Sequence, residues 1–261
     1  MRKLHAGLAL AIASVMQAAP IVTAVSSDAT ALANALASGN PGIVINSATL
    51  GGDADVGTFT GATGLLPFAD GIFLTTGVAS CIPGPNNSVG CDGDTVTESI
   101  LTIVFTPTGN TISFQYVFGS DEYPEFVSQN VNDTFTFLLN GTNIALVPGT
   151  GDTISVDTVN ATQNSGYFTD NELGGIDLQY DGFVGLSQAL FATGAVNPGV
   201  QNTLEIRIFD QGDDLYDSGV FLRGGSFVDA PPPGVPEPAT VMITGAGLAG
   251  LALLRRRSSR R

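Results

Sequence analysis

Basic residues are scarce in this 261-residue chain and lie almost entirely at its two ends. Nine Lys and Arg stand against 24 Asp and Glu, which gives a formal net charge of -15. Between residues 26 and 230, only Arg207 and Arg223 oppose 23 carboxylates, so this part of the chain carries 2 minus 23, or -21. Such a charge repels phosphate backbones. Nucleic-acid binding is therefore excluded as a function.

Histidine and lysine occur once each, as His5 and Lys3. If export removes that end, the mature chain has no imidazole for a Ser-His-Asp triad, a Cys-His dyad or a metal ligand. It also has no lysine for a Schiff base, a phosphate-binding loop or an isopeptide crosslink. Cation binding and acid/base hydrolysis by carboxylates remain possible. We predict that the protein is not an enzyme.

The N-terminus is typical of a secretory signal peptide over residues 1–24. A basic start and a short apolar run over residues 8–16 precede small residues, with candidate cleavage sites at 18–19 and 22–24. The alternative is an N-terminal membrane helix. We expect export through the inner membrane into an oxidising compartment.

The C-terminus combines three segments that together indicate sorting. A Pro-rich linker covers residues 230–235, and an apolar run over residues 239–254 follows. As a helix this run measures about 24 Å, shorter than the roughly 30 Å hydrocarbon core. The Arg-rich end fixes that side in the cytoplasm. The motif between linker and run is Pro236, Glu237, Pro238, and the cytoplasmic stop begins with Arg255, Arg256, Arg257.

Residues 236–261 resemble the PEP-CTERM sorting signal of Gram-negative bacteria, with all three parts in order. The resemblance implies that an exosortase recognises Pro-Glu-Pro and cleaves near it. The membrane helix would then hold the precursor in the inner membrane only transiently. An ordinary short tail anchor is the alternative.

The body between these ends alternates apolar and polar residues as β-strands do. Thr, Ser and Gln fill the opposite faces, which predicts strands with one face in water. Asn140-Gly141 predicts a hairpin, and residues 28–38 a brief helix within a leading segment, 25–39. We predict one all-β domain over residues 40–229, an antiparallel β-sandwich or jelly roll. The inward residues are Leu101, Ile103, Phe105, Ile112, Phe114, Tyr116, Phe118, Phe135, Phe137, Leu139, Leu204, Ile206 and Ile208.

The two cysteines, Cys81 and Cys91, enclose nine Pro-, Gly- and Asn-rich residues. An even pair in an exported chain favours a disulfide. Closing such a loop stabilises by roughly 2.5–3 kcal/mol on the chain-entropy model. A reactive or metal-binding thiol pair is the alternative, although no histidine or other base is near in sequence.

Several stretches of the body resemble the choice-of-anchor L domain of bacterial surface proteins. The resemblance implies an extracellular β-sandwich attached to a surface, with no established catalytic activity and no identified ligand. The matching stretches, in order, are residues 57–60, 71–77 (GIFLTTG), 114–126 (FQYVFGSDEYPEF), 132–135, 145–149 and 208–227 (IFDQGDDLYDSGVFLRGGSF).

Carboxylates cluster in a loop after the predicted strand 204–208. Ca²⁺ takes about six to eight oxygen ligands, so we predict a Ca²⁺ site there. The family resemblance makes it plausible that Asp121 and Glu122 lie near the loop and add ligands. The alternative is that these residues are solvated turn positions, where Asp is favoured. The loop carboxylates are Asp210, Asp213, Asp214 and Asp217, and further candidates are Asp53, Asp55, Asp92 and Asp94.

Three functions remain. The first is a non-enzymatic surface or extracellular-matrix protein acting in adhesion or in a biofilm matrix. Its partners would be the export machinery and exosortase during processing, and extracellular polysaccharide or other surface proteins afterwards. The second is a carbohydrate-binding module, although zero Trp and five Tyr offer few aromatic platforms. The third is a glycoside hydrolase that pairs Glu122 with Glu125 or Asp121.

Overall fold

The computed structural model describes residues 21–52, 55–86, 98–212 and 215–232. The predicted sorting signal, most of the predicted signal peptide and Cys91 lie outside these residues. Within them the chain forms a short helix, α1 (Ala29–Leu36), a 3-10 turn (Ser165–Tyr167) and a series of strands. The strands are β1 (Val22–Val25), β2 (Ile43–Gly52), β3 (Val56–Thr60), β4 (Gly71–Thr75), β5 (Glu98–Pro107), β6 (Thr111–Ser120), β7 (Thr134–Leu139), β8 (Thr142–Asn143), β9 (Phe168–Asp170), β10 (Gly182–Val184), β11 (Leu190–Ala195), β12 (Asn202–Phe209) and β13 (Ser218–Arg223).

The strands form two antiparallel sheets. The large sheet has the order β1-β3-β4-β13-β6-β10-β9, with β11 also paired to β6, and the small sheet has the order β2-β5-β12-β7-β8. Aromatic rings from both sheets meet in the core between them: the ring centroids of Phe114 and Phe137 are 4.7 Å apart, and those of Tyr116 and Phe135 are 5.1 Å apart. The predicted all-β, antiparallel, single-domain sandwich is confirmed.

The small sheet follows the predicted alternation closely. Every second residue of β5 is buried, including Leu101, Ile103 and Phe105, and β12 repeats the pattern with Leu204 and Ile206. The intervening residues are half-exposed. The small sheet therefore has one face on the core and one towards water, as antiparallel sheets commonly do.

The large sheet departs from the prediction, because its central strand is buried on both faces. In β6 the polar Ser113 and Gln115 and the apolar Val117 are 1%, 5% and 0% exposed. Val117 belongs to a second hydrophobic cluster that lies on the far side of the sheet with Tyr180 and Phe221. The predicted wet face of this strand is therefore wrong, since connecting segments cover it.

The predicted helix over residues 28–38 is present in shortened form as α1. The carboxylate of Asp28 accepts a hydrogen bond from the Ala31 amide at 2.9 Å and caps the first turn. Leu32 and Leu36 face the core. In the described part of the chain, no helix has the length and apolar character that a membrane crossing requires. The predicted membrane helix, residues 239–254, lies outside that part.

The predicted hairpin at Asn140-Gly141 is confirmed. Leu139 pairs with Thr142, and both turn residues have positive φ, 49° for Asn140 and 84° for Gly141. Asn and Gly tolerate this left-handed geometry better than other residues, which explains the turn. The returning strand β8 is only two residues long.

Candidate acidic site

Two strands from each sheet end or begin at one region of the sandwich. In the large sheet, Ser120 at the end of β6 pairs with Ser218 at the start of β13. In the small sheet, Phe209 at the end of β12 pairs with Thr134 at the start of β7. The residues next to these positions include the carboxylates predicted to bind Ca²⁺. The topology therefore brings together segments that are about 90 residues apart in sequence.

Asp133 is the most deeply buried carboxylate of this region, at 0% exposed. Its Oδ2 accepts a hydrogen bond from the Ser120 hydroxyl at 2.7 Å, and its amide donates to Glu122 Oε2 at 2.8 Å. Its Oδ1 is buried without a hydrogen-bond partner. Burial, followed by the negative charge of Asp210, raises the pKa of Asp133 well above its usual value. The ionised form of this side chain is thus short of positive partners.

Asp210 lies beside Asp133, immediately after β12. The Ser218 hydroxyl donates to its Oδ1 at 3.4 Å. Burial raises the pKa of Asp210 to about 7; hydrogen bonds with Asp133 and Thr76 lower it, and the charge of Asp217 raises it. Asp133 and Asp210 consequently form a carboxylate pair at the adjacent ends of β7 and β12 in the small sheet, and each member accepts a hydrogen bond from one hydroxyl of a serine pair in the large sheet.

Gln179 connects two further carboxylates of the site. Its side-chain amide donates to Asp121 Oδ2 at 2.9 Å and to Asp217 Oδ2 at 3.3 Å. The Asp121 amide donates to the Asp217 carbonyl at 3.0 Å. A Cβ at Gly77 would overlap the Asp217 carboxylate, so a glycine is required at this close approach.

Four predicted Ca²⁺ ligands therefore lie in one region: Asp121, Glu122, Asp210 and Asp217. Asp213 and Asp214 lie outside the described residues. Among the residues that the structure describes, no three His, Cys, Asp or Glu side chains are grouped so as to hold a metal ion. Asp133 was not predicted, because a single Asp before a strand has the sequence signature of an ordinary turn residue.

Asp55, one of the further candidates, has a local role. Its Oδ2 accepts a hydrogen bond from the Ala79 amide at 2.8 Å. Its carbonyl accepts the Thr75 amide at 3.1 Å. These bonds fix the turn after β4. The other three further candidates, Asp53, Asp92 and Asp94, lie outside the described residues.

The two carboxylates of the hypothetical hydrolytic pair, Glu122 and Glu125, differ in their exposure to solvent. Glu122 is 1% exposed, and its Oε2 accepts the backbone amide of Asp133. Glu125 is exposed. A glycosidase needs both carboxyl groups in contact with the substrate. The burial of Glu122 weakens that hypothesis.

Cys81 lies in a tight turn of the large-sheet side. Its amide donates to the Val78 carbonyl, and its carbonyl accepts the Gly84 amide, both at 2.9 Å. None of the described residues is a free cysteine. Because Cys91 lies outside these residues, the Cys81–Cys91 pairing stays a prediction.

Neither the curated proteins nor the solved structures gave a match to the chain. The family model of the choice-of-anchor L domain matches residues 21–228, which is most of the chain and includes every described strand. The chain belongs to the choice-of-anchor L domain family.

Proposed function

We propose that the protein is exported and displayed at the cell surface or in the extracellular matrix of a Gram-negative bacterium. There it acts in adhesion or in building the matrix, without catalysing a reaction. Its family is one of surface-associated proteins. The finer role rests on the charge of the body and on the organisation of its ends.

The observation that carries this proposal is the lack of internal counter-charge. The sequence between residues 26 and 230 has two arginines, and both are engaged. Arg207 forms an ion pair with Glu98 and lies over the Phe209 ring at 4.5 Å. Arg223 donates to Gln115 at 3.1 Å. A body with so many unopposed carboxylates attracts cations, and divalent cations can bridge it to an acidic coat polymer.

The chemistry of the buried site supports a non-enzymatic role. Glu122 and Asp133 are bound to each other through a backbone amide, and both are almost fully buried. Groups of this kind hold loops in place. A catalytic acid or base must instead come within hydrogen-bond reach of the reacting atoms.

The sorting step is tested by fractionating cells that contain or lack the exosortase. We expect the intact C-terminus, with its Arg-rich end, to stay in the inner-membrane fraction when the exosortase is absent. With the enzyme present, the chain should be cleaved near Pro236–Pro238. The product should have a correspondingly lower mass and move to the surface or the medium. Intact mass spectrometry measures both changes.

Matched variants locate the signal. Glu237→Gln should impair processing, while Glu205→Gln, a change of the same type within β12, should leave it intact. If the unaltered protein has the same mass and the same location in cells with and without the exosortase, the sorting proposal is refuted.

We also propose that Cys81 is bonded to Cys91, which would close the loop that follows β4. Thiol titration of the unreduced, denatured chain should find no reactive thiol. Two reactive thiols would refute the bond.

One observation favours a second function, carbohydrate binding. The rings of Phe126 and Tyr216 are in contact, with centroids 4.7 Å apart and planes inclined by 37°, and both side chains are half-exposed beside the acidic site. Partly exposed aromatic rings can carry a sugar. By contrast, Tyr116, Tyr123 and Tyr180 are fully buried. A glycan array that shows binding lost in Tyr216→Asn would support this alternative, and an array without signal would exclude it for the glycans tested.

A further inference from the structure

The carboxylate pair of Asp133 and Asp210 is not explained by adhesion. Asp133 is 0% exposed, and its Oδ1 has no hydrogen-bond partner. The neighbouring Asp210 adds negative charge and its own oxygens. Two buried like charges repel strongly unless a proton or a cation lies between them.

No basic side chain of the described body supplies the cation. Arg207 is held by Glu98 on the small sheet, and Arg223 is held by Gln115 on the large sheet. The hydroxyl groups of Ser120 and Ser218 each supply one hydrogen bond, to Asp133 and Asp210 respectively. Asp133 Oδ1 is buried without a donor of its own and faces a second carboxyl group, that of Asp210.

We propose that Asp133 and Asp210 are the protein ligands of one Ca²⁺ ion that holds together the adjacent ends of β7 and β12 in the small sheet. The side chains around the pair offer oxygen donors and no imidazole or thiolate, which suits a hard cation. Ca²⁺ tolerates irregular geometry and accepts water for the remaining positions, whereas Mg²⁺ requires a near-ideal octahedron.

The proposed ion would lie between two chain segments that connect strands, and would therefore stabilise the fold there. Asp133 ends the connection between β6 and β7, and Asp210 begins the connection between β12 and β13. An ion between them would hold the start of β7 and the end of β12, two neighbouring strands of the small sheet, in place. Extracellular modules bind Ca²⁺ with Kd of about 10⁻⁴–10⁻³ M, so we expect an affinity in this range. This inference does not depend on the proposed function, because a structural ion would stabilise the fold in any role.

Terbium luminescence tests the site on the purified full-length chain in detergent. The chain has no Trp, so tyrosines must sensitise bound Tb³⁺. The buried Tyr123 directly follows Glu122, whose Oε2 accepts the Asp133 amide at 2.8 Å, so this ring lies near the site. We expect tyrosine-sensitised emission that saturates at one Tb³⁺ per chain and is displaced by Ca²⁺ at least tenfold more effectively than by Mg²⁺.

Three variants locate the ion. Asp133→Asn and Asp210→Asn should each abolish the saturable emission, while Asp177→Asn, which changes an exposed carboxylate, should retain it. Far-UV circular dichroism verifies that each variant is folded. If a variant does not fold, the displacement of Tb³⁺ by Ca²⁺ and Mg²⁺ on the unaltered chain still tests the proposal. Three outcomes would overturn the proposal: emission that never saturates, emission retained in both site variants, or equal displacement by Mg²⁺. A pair that shares a proton instead of a metal would give no saturable emission.

Discussion

Ser120 and Ser218 face each other across the antiparallel strands β6 and β13, and their hydroxyls bind two different aspartates. Ser120 donates to Asp133 at 2.7 Å, and Ser218 donates to Asp210 at 3.4 Å. Asp133 precedes β7 and Asp210 follows β12, both in the other sheet. This serine pair therefore links the two sheets through buried polar groups, beside a cluster of carboxylates that includes Asp121 and Asp217.

Replacing Ser120 should be costly. Its Oγ donates to Asp133 and accepts the Glu122 amide at 2.9 Å, so Ser120→Ala leaves two buried polar groups without a partner. We expect a loss of about 2–4 kcal/mol in the free energy of unfolding. Urea denaturation measures it. Ser47→Ala, on an exposed position of β2, is the control and should change stability by no more than about 0.5 kcal/mol. Equal effects of both variants would contradict this account of the network.

Gly119 and Gly219 form a flat surface for the Tyr180 ring. They are opposite each other in β6 and β13, and a Cβ at Gly119 would lie 2.7 Å from the ring, while one at Gly219 would overlap the hydroxyl. Gly219→Ala should therefore destabilise by about 3 kcal/mol through overpacking. The control is Gly175→Ala, where a Cβ would meet only an atom 4.0 Å away. A stable Gly219→Ala variant would show that Tyr180 packs elsewhere.

Asp229 fixes the C-terminal end of the domain, just before the predicted linker. Hydrogen bonds from the Thr108 hydroxyl and the Gly109 amide lower the pKa of Asp229. A depressed pKa in the folded state means that the ionised group stabilises at pH values above its ordinary pKa, and that this contribution is lost as the pH falls through the folded pKa. The hydrogen bonds that hold the C-terminal end of the domain around Asp229 should therefore weaken below about pH 4.

Hydrogen exchange measures this effect at the Val228 amide, which donates to the Ser113 carbonyl at 2.9 Å. Asp229→Asn should speed its exchange about threefold to tenfold at neutral pH. It should also remove the acid dependence. Asp177→Asn serves as the control and should leave the exchange of this amide unchanged. Unaltered exchange in Asp229→Asn would contradict the role of this carboxylate.

The first strand indicates where the signal peptide is cut. Val22–Val25 pairs with β3, Ile21 is 3% exposed, and the Thr23 hydroxyl donates to the Ala79 carbonyl at 2.9 Å. Cleavage after Ala24 would remove most of this strand. We expect the mature chain to begin at Pro20, after the small residues 18–19. Mass spectrometry of the N-terminal peptide identifies the first residue of the mature chain. A mature chain that begins at Val25 would contradict this expectation.

The pattern of the sequence was sufficient for the small sheet and insufficient for the large one. In β5 and β12 the alternation directly reflects one dry face and one wet face, so Leu101 and Ile206 could be assigned to the core. In β6, Ser113 and Gln115 have the same polar signature although they are buried. The segments that cover Ser113 and Gln115 come from distant parts of the chain. The local sequence pattern of β6 therefore does not reveal that these two residues are buried.

The acidic site shows the same limit. Composition and local clustering singled out Asp210 and Asp217, and the family resemblance added Asp121 and Glu122. Asp133 was missed, because nothing in a lone carboxylate before a strand indicates burial. Only the pairing of β12 with β7 and of β13 with β6 brings Asp133 to Asp210. A buried ligand of this kind is a property of the topology.

The melting temperature of the full-length chain in saturating Ca²⁺ and in excess chelator tests the central claim most directly. A ligand that binds only the folded state at about 100 times its Kd contributes about 2.7 kcal/mol, which corresponds to roughly 5–10 °C for a domain of this size. We predict a rise of that size in Ca²⁺, with Asp133→Asn and Asp210→Asn insensitive to the ion. The same melting temperature with Ca²⁺ and with chelator would contradict the account.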